Sequence, residues 1–222
     1  MGIYIYPDDS AEKARRDKMI TIKIYSDYIW PFCYIGKGIA DKLKEDFVVQ
    51  EIWQGLEIHP ETPPEGRDIS AEYPPEIRNQ LYHRLNEMGK VYGVSFNRSD
   101  GYLPNSRRAL MLSEYAKKTS SFAALHLKIF KAYFEEGRNI GDPEVLIGLA
   151  ESSGISREEV EQAWQDESLK QQLQEIAAIA HREGATGGVP TFIINDRYKI
   201  VGAQPYNVFQ ETLQKIVAEN NR

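Results

Sequence analysis

Two short stretches, far apart in the chain, carry residue types that do sulfur chemistry when a fold brings them together. The first is Trp30-Pro31-Phe32-Cys33, which holds the single cysteine of the 222 residues. The second is Gly187-Gly188-Val189-Pro190-Thr191. A thiol in the first turn of a helix lies among unpaired N–H groups and a partial positive charge, and both favour its thiolate. Cys33 is therefore a candidate nucleophile, one turn inward from an exposed helix tip at Trp30. The competing reading is a small buried hydrophobe. Proline directly before a strand is ordinarily an edge or strand-start residue. A cis Val189–Pro190 bond would instead leave the main chain of Val189 free to pair with an extended peptide or a thiol ligand. The two glycines before it allow close backbone approach.

The elements that must position these stretches follow from periodicity. Ile20–Tyr25 alternates β-branched or aromatic residues with polar ones and reads as a strand. Pro31 suits the first turn of a helix running to about Leu43. Phe47–Trp53 reads as a second strand, so the chain opens β-α-β with parallel strands and a crossover helix. A Pro- and Glu-rich loop, Glu57–Pro75, leads into a helical region. Candidate helices cover Glu76–Val91, Ser106–Lys118 and Phe122–Glu136. Three more start at Asp142-Pro143, at the capping box Ser156–Glu159, and at Ser168, the last ending at Arg182. Thr191–Ile194 and Tyr198–Val201 form a hairpin across Asn195-Asp196. Pro205 starts a final helix to about Glu219. The fold class is α/β.

Composition narrows the function. Apolar residues are 41% and charged residues 27%, an ordinary globular balance that excludes a disordered chain. The net charge of −6, without a basic block, argues against a nucleic-acid partner. No apolar run is long enough for a membrane span. One cysteine excludes an internal disulfide and a Cys-rich zinc site. The N-terminus lacks a secretory h-region, so a cytoplasmic protein is expected. Residues 1–18 are given no role in the fold; a natural extension, a start upstream of Met19 and vector-derived residues remain open. The substrate and the oligomeric state are not legible.

Four segments carry a family resemblance: SDYIWPFCYIG (Ser26–Gly36), LEIHPETPPEG (Leu56–Gly66), FKAYFEEGRNIGDPEVL (Phe130–Leu146) and GVPTFIINDRYKIVGAQP (Gly188–Pro205). From about Met19 to Asn220 the sequence resembles the DsbA-like thioredoxin superfamily, in its FrnE-like cytoplasmic branch. The resemblance implies a discontinuous thioredoxin-like domain, 19–60 and 184–222, interrupted by a helical domain at 61–183. It implies thiol–disulfide exchange through a Cys-Pro-aromatic-Cys motif with a cis proline opposite. Cys33 then matches the resolving cysteine and Pro190 the catalytic-site proline, while Pro31, Phe32, Val189 and Thr191 would contact substrate. Trp30 stands where the family has its nucleophilic cysteine, so dithiol exchange is expected to be weak or absent. The implied partner is a thiol- or disulfide-containing protein or a small thiol, with glutathione as a thiol co-substrate, no other cofactor and no metal.

Two alternatives stay open. One is a non-catalytic peptide- or thiol-binding protein using the same groove. The other is a glutathione-dependent isomerase or transferase like the related 2-hydroxychromene-2-carboxylate isomerases and kappa-class glutathione transferases. Those carry a serine at the first position, and Trp30 offers only an indole N–H donor. The tryptophan codon is one base from both cysteine codons and from the stop codon that encodes selenocysteine, so a substituted or misread redox residue is a further reading of position 30. Among other polar residues, His59, His83, His126 and His181 are too scattered for a metal motif. Asn105, Arg107 and Arg108 open a helix and are read as capping or surface groups near a cleft. Asp27 is read as a solvated loop aspartate able to alter proton transfer near Cys33.

Overall fold

The computed structural model describes residues 19–97 and 100–220; the expectation for residues 1–18 lies outside them. Strand β1 (Ile20–Ser26) turns Ile20, Ile22 and Ile24 inward. Helix α1 (Pro31–Asp46) carries the chain to β2 (Val49–Gly55), parallel to β1 from Ile20↔Val49 to Ser26↔Gly55. Strand β5 (Thr191–Ile194) lies antiparallel on the other side of β1, and β6 (Tyr198–Val201) antiparallel to β5. The sheet order is β2-β1-β5-β6. Asn195 and Asp196 have φ of 49° and 51°. That double left-handed turn matches the twist of a tight hairpin, and Asn and Asp tolerate it. The Asn195 Oδ1 also accepts the N–H of Thr21, at 2.9 Å, tying the turn to β1.

Between β2 and β5 the chain is mostly helical. A two-residue strand β3 (Arg67–Asp68) pairs with β4 (Tyr102–Leu103), inside and beyond the stretch expected to be loop; ladders this short leave no periodicity to read. Helix α2 (Pro75–Gly89) ends earlier than expected, in a 3-10 turn Lys90–Tyr92 closed by left-handed Gly93. Then follow α3 (Arg107–Ala116), α4 (Phe122–Phe134), α5 (Pro143–Glu151), α6 (Arg157–Gln165) and α7 (Glu167–Arg182). Asp142 caps α5, and the Ser156–Glu159 box opens α6 as its sequence requires. Helix α8 (Tyr206–Asn220) closes the fold.

One continuous apolar cluster runs from the sheet into the helices. Its seam is aromatic: Tyr34 of α1 stacks on Phe130 and Phe134 of α4, with ring centroids 5.3 and 5.9 Å away. The Tyr34 hydroxyl donates to Glu135 at 2.6 Å. This seam fixes α1, and with it the Trp30–Cys33 turn, against the helical segment.

Candidate site at the tip of helix α1

The chain leaves β1 at Ser26 and turns into α1 through Asp27–Trp30. The Trp30 N–H donates to the Asp27 carbonyl (3.3 Å), and the Cys33 N–H to the Trp30 carbonyl (2.9 Å). Trp30 is the N-cap residue with extended backbone and no side-chain cap, and Pro31 takes the first helical position. The Trp30 side chain is 37% exposed, and its ring lies 6.0 Å from that of half-buried Phe32.

Cys33 is fully buried. Its sulfur accepts the Asp27 N–H at 3.5 Å, and Ser26 lies beside it. Burial pushes the thiol up from 9.0 to about 12, overriding the Asp27 N–H and the nearby Ser26 hydroxyl, which act the other way. The expectation of a thiolate favoured by the helix end is therefore corrected. A helix terminus contributes about 0.3–1 kcal/mol, whereas that rise amounts to about 4 kcal/mol against the thiolate.

Asp27 also departs from expectation: it is buried, not solvated. Oδ2 accepts the Ile58 N–H (2.9 Å) and the Ser106 hydroxyl (3.0 Å), and Oδ1 the Ile29 N–H (3.3 Å). Desolvation nonetheless pushes the carboxyl up to about 6. Sequence reasoning missed this as a structural hub because its partners lie on three segments. Beside it, the Tyr28 hydroxyl lies 2.7 Å from Ser113 Oγ and 2.6 Å from His126 Nδ1. Burial holds His126 well below the usual histidine range, so it stays neutral.

The second stretch comes to the same helix. The Val189–Pro190 peptide is cis. Pro190 lies against α1: a Cβ on Gly36 would sit 2.9 Å from Pro190 Cγ, so only glycine leaves room. The Pro190 carbonyl accepts the Gly202 N–H at 2.7 Å. Among the described residues the main chain of Val189 makes no hydrogen bond, although the residue as a whole is buried. Thr191 is wholly buried and donates to the Gly188 carbonyl at 2.6 Å, which leaves it no surface for a substrate, contrary to expectation.

The remaining candidates scatter. His59 pairs with Glu61 at 2.9 Å, while His83 and His181 are exposed. Asn105 donates to the Thr62 carbonyl (2.6 Å) and accepts the Arg107 N–H (2.9 Å); Arg107 pairs with Glu57 at 3.0 Å. Among the described residues no three His, Cys, Asp or Glu converge to hold a metal ion. Among them, too, no helix is long and apolar enough to cross a membrane.

Comparison with known proteins matches residues 21–214 to a family model described as the DSBA-like thioredoxin domain. The uncharacterized protein YwbO of Bacillus subtilis is 27% identical over 195 residues, covering 87% of this chain and 96% of that protein. A crystal structure of a probable DsbA oxidoreductase from Streptomyces coelicolor superposes with a TM-score of 0.80 at 24% identity, over 88% of this chain and 89% of that one. A 2-hydroxychromene-2-carboxylate isomerase structure superposes with a TM-score of 0.73 at 18% identity, over 90% and 98%.

Proposed function

We propose that this chain, which belongs to the DSBA-like thioredoxin domain family, binds thiol- or disulfide-bearing substrates at the helix tip but exchanges disulfides weakly or not at all. The observation that carries this reading is the state of Cys33. Its sulfur is buried and protonated, and no second cysteine exists to share a disulfide. Exchange requires an accessible thiolate to attack and a second thiol to resolve the mixed disulfide. Trp30 sits where the family places its attacking sulfur and supplies an exposed ring instead.

Binding has what it needs. The unpaired main chain of Val189 suits an extended peptide laid alongside it. Trp30 and Phe32 offer apolar surface at the adjoining helix tip, and an indole keeps a polar handle there. Glutathione enters this reading only as a small thiol held at that surface, because a mixed disulfide would need the Cys33 sulfur to be uncovered. The absence of any disulfide partner for Cys33 fits a reducing, cytoplasmic setting.

Insulin reduction with dithiothreitol tests the reading. The chain as it stands should run at the uncatalysed rate, and Trp30→Cys should raise it at least tenfold. A saturable quench of Trp30 fluorescence by a cysteine-containing peptide, equal in the Cys33→Ser variant, should accompany this. Turnover by the unaltered chain matching that of Trp30→Cys would overturn the proposal.

A further inference from the structure

A cavity whose lining includes neither Trp30 nor Pro190 lies beside the start of α3. It has a volume of about 630 Å³ and opens between the loop after β2 and helices α3, α6 and α7. That volume falls in the range of small-molecule sites, about 300–1,000 Å³. Its wall combines an apolar side, Met111, Trp164 and Pro63, with a polar side, Thr62, Arg107 and Arg108.

Two features of this wall are unfinished without a ligand. Thr62 is only 3% exposed, and its hydroxyl has no hydrogen-bond partner. Leaving such a group unpaired costs about 1–3 kcal/mol, and folded proteins keep few of them. Arg108 is the second. Its neighbours on the wall are neutralised, Arg107 by Glu57 at 3.0 Å and Lys170 by Glu167 at 2.5 Å. Among the described residues Arg108 has no carboxylate partner; its guanidinium lies 5.6 Å from the centre of the Trp164 ring. The Trp164 indole N–H donates to the Arg108 carbonyl at 3.1 Å, which holds the ring in the wall.

The backbone adds to the same charge. Arg107 and Arg108 are the first residues of α3; the Ser106 hydroxyl is spent on Asp27, and the Asn105 side chain accepts only the Arg107 N–H at 2.9 Å. A helix N-terminus favours an anion. Glu61 and Glu161 also line the cavity and oppose a second negative charge. One uncompensated cation beside an apolar wall selects a singly charged organic ligand.

We propose that this cavity binds a small organic carboxylate. Its head is received by Arg108 and the Thr62 hydroxyl, and its apolar body lies against Trp164, Met111 and Pro63. The site is independent of the Trp30 surface, so either assignment can fail while the other stands.

The Trp164 indole N–H resonance, identified by its loss in Trp164→Phe, reads the outcome in ¹H–¹⁵N spectra of the full chain. Titration with 1-naphthoate should shift it saturably, while the Trp30 indole resonance stays in place. Neutral 1-naphthalenemethanol and inorganic phosphate should each bind at least tenfold more weakly. Thr62→Val and Arg108→Met should each weaken naphthoate binding at least fivefold, with dispersed spectra reporting that they remain folded. Should either variant lose its fold, the naphthoate and alcohol comparison in the unaltered chain decides. Equal binding of the alcohol, undiminished binding in both folded variants, or a shift confined to Trp30 would overturn the assignment.

Discussion

At Cys33 two opposing effects act on one sulfur atom. The first turn of α1 pulls toward the thiolate, and complete burial pushes the thiol up to about 12. Burial prevails because a buried charge loses its whole hydration shell, whereas the helix terminus returns only a part of it. The consequence is chemical silence at neutral pH. At pH 8 a thiol of that kind is ionised in about one molecule in ten thousand, against roughly a tenth for a cysteine at the ordinary 9.0. Native Cys33 should therefore react with an aromatic disulfide reagent at least a hundredfold more slowly than the same chain in 6 M guanidinium, followed by absorbance. Equal rates in the two states would show that the sulfur is open. The helix-end argument was legible from sequence; the burial that reverses it was not, because the covering groups come from Ser26 and Asp27 and the layers packed over them.

At the scale of elements, the contact between α1 and the loop before β5 rests on the absence of a side chain. Helix propensity alone predicts that alanine at a helical glycine gains about 1 kcal/mol. At Gly148 of α5, exposed and with nothing within 4 Å of an added Cβ, Gly148→Ala should show that gain. At Gly36 the added carbon meets Pro190 Cγ at 2.9 Å and Phe192 Cζ at 3.3 Å. Overpacking of this kind costs about 1–3 kcal/mol. Gly36→Ala should thus lower stability by a net 1 kcal/mol or so in urea unfolding. The opposite signs at the two glycines are the measurement. If both variants gain stability, Pro190 does not rest on α1.

The whole molecule is drawn together at Asp27. Its carboxyl joins the end of β1, the loop after β2 at Ile58, and the start of α3 at Ser106. Those hydrogen bonds favour the ionised form, yet desolvation exceeds them and the group rises from 3.8 to about 6. The sign follows directly. Between those two values the folded chain holds a proton that the unfolded chain has released, so this group's contribution to stability falls as pH rises through the window. From pH 4.5 to 7.5 the loss amounts to about 2 kcal/mol. Asp27→Asn cannot titrate, whatever its own cost in hydrogen bonds. Its stability relative to the parent should accordingly improve by about 2 kcal/mol across that interval in denaturant titrations. A difference that stays flat with pH would place the carboxyl in the ordinary range.

The sequence by itself determined the order of the longer elements, the parallel β1–β2 pair, the hairpin at Asn195-Asp196 and the capped starts of α5 and α6. Each depends on neighbours within a turn or two, where residue type and spacing act directly on the backbone. It also settled that one chain holds a single sulfur of this kind and so has no internal disulfide. Only the tertiary structure decided which charged and polar groups stay in water. The desolvation of Cys33 and Asp27, the closed surroundings of Thr191 and the cavity around Thr62 and Arg108 are made by segments distant along the chain. Their effect grows with how completely water is excluded, and no local pattern records that quantity.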